Sequence, residues 1–180
     1  MISLISDLVV VAVYPRQQGD LVRSLSSSNP TRPLLLEKPL GVDPAESEDL
    51  VRFLKLNHIK FNCNYIFLYT TWFQKILKQH SEYRSIRIEW SFRAHHFLND
   101  VDTWKRVPSE GGGVIRYYGI HLIYIASVIG FFSVTSSKVI VDTSGEELSW
   151  ECTLQDASGR QLLIYLHTCS PDQVFSISCD

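Results

Sequence analysis

The hydrophobic pattern of this chain changes character near Asn64–Tyr69. Before that point the apolar residues come in short unbroken runs. Asp7-Leu-Val-Val-Val-Ala-Val13 is a β-branched run of strand length ended by Tyr14-Pro15, and Leu34-Leu-Leu36 is a second. Runs of this kind suit strands buried on both faces, as in a parallel sheet. Between them Gln17 to Ser28 reads as a short helix stopped by Asn29-Pro30. After the second run, Asp43 is an N-cap, Pro44 fits the first helical position, and Glu46 follows three residues after the cap. Leu50, Phe53, Leu54 and Leu56 then give a helix to about Asn57 one apolar face. Ile59 to Tyr65 is strand-like again, which completes a strand, helix, strand, helix, strand series.

The later part alternates instead. Thr70 to Gln79 reads as a helix. From Arg84 to His95 the residues Ile86, Ile88, Trp90 and Phe92 fall on one face of a strand, with Arg87, Glu89, Ser91 and Arg93 on the other. Gly111-Gly-Gly113 leads into a helix over 114–129, closed by Gly130. Val134–Val141, Leu148–Gln155 and Gln161–Thr168 read as three further strands, the last two joined at Ala157-Ser-Gly159. The expected fold is therefore α/β: the remnant of a doubly wound, Rossmann-type parallel sheet over residues 1–66, then an α+β domain with a mostly antiparallel sheet over 67–180.

Composition narrows the function classes. With 17 Lys+Arg against 19 Asp+Glu, the net charge is −2, and no basic block offers a footprint for nucleic acid. The most apolar stretch, 114–134, is interrupted by Arg116, His121 and Gly130, so no membrane span is expected. The start lacks a basic leader, and Cys63, Cys152, Cys169 and Cys179 form no Cys-x-x-Cys pair. A cytoplasmic protein with buried thiols is the expectation.

Two clusters can carry chemistry. Glu37-Lys38-Pro39 stands at the end of a parallel strand, where ligands of open α/β sheets bind. A lysine there can hydrogen-bond a ribose or substrate hydroxyl, or donate a proton; the alternative is a solvated loop lysine. Tyr117 and His121 lie four residues apart on the later helix, with Arg116 and Tyr124 nearby and Val114, Ile115, Leu122, Ile125 and Ile129 forming the opposite, core-facing stripe. Such a pair can perform acid–base work, or the His can be a hydrogen-bonded structural residue.

Taken in register, Leu34-Leu-Leu-Glu-Lys-Pro-Leu-Gly41 and the Gly111-Gly-Gly to Gly119-Ile-His121 segment resemble the Gfo/Idh/MocA family, the glucose–fructose oxidoreductase and inositol dehydrogenase relatives. The resemblance runs from Asp7 to about Thr168. It implies hydride transfer between NAD or NADP and a hydroxyl or keto carbon of a sugar or polyol. It implies Lys38 and His121 as catalytic residues, with Glu37, Pro39, Asn64 and Trp104 shaping the nicotinamide end. Lys105, Arg93 and His95 are candidate substrate contacts. His95 and His96, adjacent on a strand, would point to opposite faces.

The sequence departs from the family in three places. No strand–helix turn carries Gly-x-Gly-x-x-Gly, so the first half of the dinucleotide-binding domain is expected to be lacking. Tyr117 stands where the family commonly has Asp, and Tyr cannot supply that fixed charge near neutral pH. The chain stops at Cys179-Asp180, where relatives continue their sheet. Lys38 and His121 are expected to converge on one site, and the second-domain sheet to pair copies of the chain into a homo-oligomer. The rival expectation is a non-catalytic fragment or interaction module that has lost cofactor binding. A metal-dependent hydrolase is a distant third, because His95, His96, His121 and His167 have no ligand spacing.

Overall fold

A β-branched run, a leucine run and a third short segment pair side by side in the computed structural model, which describes residues 7–28 and 31–180. The Asn29-Pro30 stop lies outside the described residues. Strands β1 (Val9–Val11), β2 (Leu34–Leu36) and β3 (Phe61–Cys63) form a wholly parallel sheet in the order β1-β2-β3. Helix α1 (Pro15–Ser28) follows β1, and α2 (Pro44–Leu56) follows β2. This unit comprises Met1–Asn64 together with Pro108–Gly111, a segment that returns to it, where Glu110 pairs with Arg16 at 2.5 Å.

The start of α2 follows its local chemistry. Asp43 Oδ1 accepts from the Glu46 N–H at 2.8 Å, and Glu46 Oε2 accepts from the Val42 N–H at 3.0 Å. Leu36, Leu50, Leu54 and Val22 are completely or almost completely buried, each stabilising the unit by about 1.5–3 kcal/mol relative to exposure. Along α1 the buried positions are Pro15, Gln18, Val22 and Ser26, so two polar residues occupy the stripe that faces the core.

The second unit comprises Tyr65–Val107 and Gly112–Asp180. Its five strands are β4 (Ser85–Arg93), β5 (Ser133–Val141), β6 (Glu147–Gln155), β7 (Gln161–His167) and β8 (Cys169–Cys179), ordered β5-β6-β7-β4-β8. All pairs are antiparallel except β4–β7. Helices α3 (Thr71–Gln79), α4 (His95–Leu98) and α5 (Ile120–Val128) complete it. Phe73 and Ile76 of α3 and Leu122, Ile125 and Ala126 of α5 share one core with the sheet residues Ile86, Ile88, Trp150, Leu162 and Leu166.

Three features depart from the sequence expectation. The helix over 114–129 begins as a π-helix, Val114–Gly119, and becomes α-helical only from Ile120. Strand β4 ends at Arg93, and His95 and His96 sit in α4 rather than on a strand. Ala94 donates to the Thr168 carbonyl at 2.7 Å while Phe97 and Leu98 donate back to the Ala94 carbonyl, which turns the chain out of the ladder. The two histidines still diverge, with His95 exposed and His96 buried. Finally, 169–179 forms β8, an edge strand pairing Phe175 with Trp90 and Ile177 with Ile88.

Candidate functional site

In the first unit the site is built on β2. Being the central strand, it can hand the following residues, Glu37, Lys38 and Pro39, to a fixed place at its C-terminal end. The Glu37 N–H continues the ladder by donating to the Val11 carbonyl at 2.9 Å, and the Asn64 N–H donates to the Leu36 carbonyl at 2.9 Å. Asn64 Nδ2 donates to Glu37 Oε1 at 2.6 Å, so Asn64 is engaged in fixing Glu37. Gln18 reaches the same segment from α1, donating from Nε2 to the Glu37 carbonyl at 2.9 Å and to the Pro39 carbonyl at 3.3 Å. The Lys38–Pro39 peptide is cis, Pro39 is buried and Lys38 is half-buried.

In the second unit the glycines open the way to the histidine helix. Gly113 takes φ 80°, in the left-handed region that favours glycine. A β-carbon at Gly112 would collide with the backbone carbonyls of Trp104 and Lys105, so only glycine lets these two segments meet. The orphan N–H of Val114 is capped by Glu147 Oε2 at 2.7 Å, a charge-assisted hydrogen bond at a helix amino end. The neighbouring Glu146 holds Arg106 through both carboxylate oxygens, at 2.5 and 2.6 Å. That hydrogen bonding pushes the Arg106 guanidinium further up from its ordinary value. Two adjacent carboxylates at the start of β6 thus anchor both the Trp104–Arg106 turn and the helix that carries Tyr117 and His121.

Trp104, Lys105 and Tyr117 are brought together: the Trp104 ring meets Tyr117 edge-on at 5.3 Å, and Lys105 Nζ lies 5.1 Å from the Tyr117 ring centre. His121 is buried, and its surroundings are aromatic rather than the polar helix face expected from the sequence. Its ring lies 5.0 Å from Phe67 and 6.0 Å from Tyr65, and Tyr65 stacks on Tyr124 at 4.0 Å. Aromatic walls exclude water and strengthen any hydrogen bond that the imidazole makes. Tyr118 packs among Tyr117, Trp90, Phe92 and His96, and burial pushes its phenol far up, so it stays protonated. Arg93 and His95 are exposed, and neither side chain makes a hydrogen bond or ion pair among the described residues. Among the described residues no group of three or more His, Cys, Asp or Glu could hold a metal ion.

The sequence reading missed Gln18, Glu146 and Glu147. Their partners lie far along the chain, 33 positions away for Glu147 and 19 for the Glu37 partner of Gln18. The one available signal is Gln18 itself, polar at a position spaced with Pro15 and Val22 on the core stripe of a helix.

No family model matches the chain, and no curated protein matches it. Solved structures match in fold. A proposed myo-inositol dehydrogenase from Sinorhizobium meliloti superposes with a TM-score of 0.78 at 18% identity, over 97% of this chain and 55% of that one. The WlbA dehydrogenase from Bordetella pertussis, in complex with NADH and UDP-GlcNAcA, gives 0.78 at 13% identity, over 97% and 56%. The dehydrogenase MviM from Clostridium difficile gives 0.78 at 11% identity, over 97% and 54%. These are dehydrogenases of the Gfo/Idh/MocA type, and the chain has their fold while spanning about half of their length.

Proposed function

We propose that this chain supplies the nicotinamide and substrate end of an NAD(P)-dependent oxidoreductase of the Gfo/Idh/MocA type, acting on a hydroxyl or keto carbon of a sugar or polyol. The observation that carries the reading is Lys38, set at the C-terminal end of the central parallel strand beside a doubly anchored Glu37, in a fold shared with dehydrogenases. When bound, the cofactor accepts or gives the hydride. The chain's own residues manage the accompanying proton: Lys38 and His121 take it from, or return it to, the substrate hydroxyl, and Tyr117 relays it. Glu37, Pro39, Asn64 and Trp104 shape the nicotinamide end, and Lys105, Arg93 and His95 meet substrate hydroxyls. A small sugar or polyol is the partner, a second copy of the chain pairs through the open face of the five-stranded sheet, and the cytoplasm is the compartment. Among the described residues no helix is long and apolar enough to cross a membrane.

The fit to a dinucleotide is partial. A pyrophosphate needs free backbone N–H groups at a helix amino end. Here α1 opens with Pro15, which has no N–H, and the amino end of α2 is capped by the Asp43 carboxylate, which would repel phosphate. Neither helix amino end of this unit therefore fits a pyrophosphate. That observation favours a second reading, an interaction module that no longer binds cofactor. Calorimetry separates the two. Residues 1–180 alone should bind NADH and NADPH very weakly, and the same chain joined behind a strand–Gly-x-Gly-x-x-Gly–helix half should bind one of them at micromolar levels. Binding that stays absent in the joined chain overturns the enzyme reading.

A further inference from the structure

We propose that Gln18 is a positioning residue for Lys38, holding the backbone on both sides of the lysine; as a role in catalysis this rests on the oxidoreductase reading above. The argument begins with burial. Gln18 is 0% exposed and sits on the core stripe of α1 between Pro15 and Val22, where an apolar side chain of the same length would pack without any polar cost. Its Oε1 is buried and has no hydrogen-bond partner among the described residues. A side chain kept only for packing would not carry that unsatisfied acceptor.

The other end of the amide explains the choice. Nε2 donates to the carbonyls of Glu37 and Pro39, the two residues that flank Lys38. An amide nitrogen has two protons to donate, and both carbonyls lie on its side, so the carboxamide is oriented with its oxygen away from them. Neither Leu nor Met, with no donor, can make this bridge. Asn64 ties the Glu37 side chain from β3, while Gln18 ties the Glu37 and Pro39 backbone from α1. The Lys38 backbone is thereby held through both of its neighbours.

The test reads Lys38 directly. The full chain is acylated briefly with the N-hydroxysuccinimide ester of acetate, and the rate at Lys38 is measured by mass spectrometry against the exposed Lys55 and Lys60. In Gln18→Met the Lys38 rate should change about fivefold relative to wild type, the factor one ordinary hydrogen bond is worth, with Lys55 and Lys60 unchanged. Gln18→Leu should give the same change, because the donor is lost there too. A folded Gln18→Met whose Lys38 rate matches wild type overturns the proposal, whatever the chain catalyses. If both variants fail to fold, the unmodified chain decides. Its Gln18 amide protons should exchange with water at least about tenfold more slowly than those of the exposed Gln161 in an NMR spectrum, and equal exchange overturns the proposal. With the Lys38 rate changed, unchanged turnover of the joined chain would count against the oxidoreductase reading and not against the tether.

Discussion

Replacing Glu147 by Ala removes the carboxylate that caps Val114, and the cost can be worked from the structure. The Val114 residue is 1% exposed, so its N–H has little recourse to water once the 2.7 Å bond is gone. A hydrogen bond to a charged group contributes about 1.5–3 kcal/mol. The favourable placement of a negative charge at a helix amino end adds a further part of about 0.3–1 kcal/mol, which overlaps the first. Glu147→Ala should therefore cost the second unit about 2–3 kcal/mol. Glu147→Gln keeps an acceptor and loses the charge, and should cost about half of that. Urea unfolding followed by tryptophan fluorescence is a fitting assay, because Trp72, Trp90, Trp104 and Trp150 all belong to this unit. A chain of this size should also lose about 2–4 °C of melting temperature for each kcal/mol. A Glu147→Ala variant within about 0.5 kcal/mol of wild type, the range of an ordinary surface substitution, would refute the capping argument.

The remaining expectations are briefer. Gly112→Ala should destabilise the second unit by about 1–3 kcal/mol, because its β-carbon meets backbone carbonyls that cannot rotate away; a melting curve equal to wild type would contradict this. Burial, and then the Arg106 guanidinium, hold the His96 imidazole below its ordinary value of 6.5. The unfolded chain then binds the proton more readily, so the stability tied to neutral His96 is present above pH 6.5 and lost as pH falls below it. Urea midpoints across that range should fall with acid in wild type and fall less in His96→Gln, and parallel slopes would contradict it.

The sequence was most informative where the chemistry is local. Asp43, Pro44 and Glu46 announce the start of α2 within four residues, and the runs at Val9–Val11 and Leu34–Leu36 are read as parallel strands because both of their faces are apolar. Strand β8 was not legible. Pro171, Asp172 and three serines break its apolar pattern, which an edge strand tolerates because one side makes no ladder. The π-helical start at Val114–Gly119 was hidden for a different reason. Around it the structure places Gly112 against Trp104 and Lys105, Glu147 at the Val114 N–H, and Gly119 against the Trp150 ring, none of them a neighbour in sequence. Of the site, the types Lys38, Tyr117 and His121 stood out from the motifs, and the grouping of Trp104 and Lys105 with Tyr117 came from the fold. The aromatic enclosure of His121 by Tyr65 and Phe67 depends on a turn at Ile66–Tyr69 that carries no motif.

Steady-state turnover in the joined chain, with NADH or NADPH and a panel of keto sugars, tests the central claim most directly. Lys38→Ala and His121→Ala should each lower kcat/KM by about a hundredfold or more, the usual contribution of a positioned acid or base, while their melting temperatures stay near that of the parent. Turnover by both variants equal to that of the parent would contradict the account.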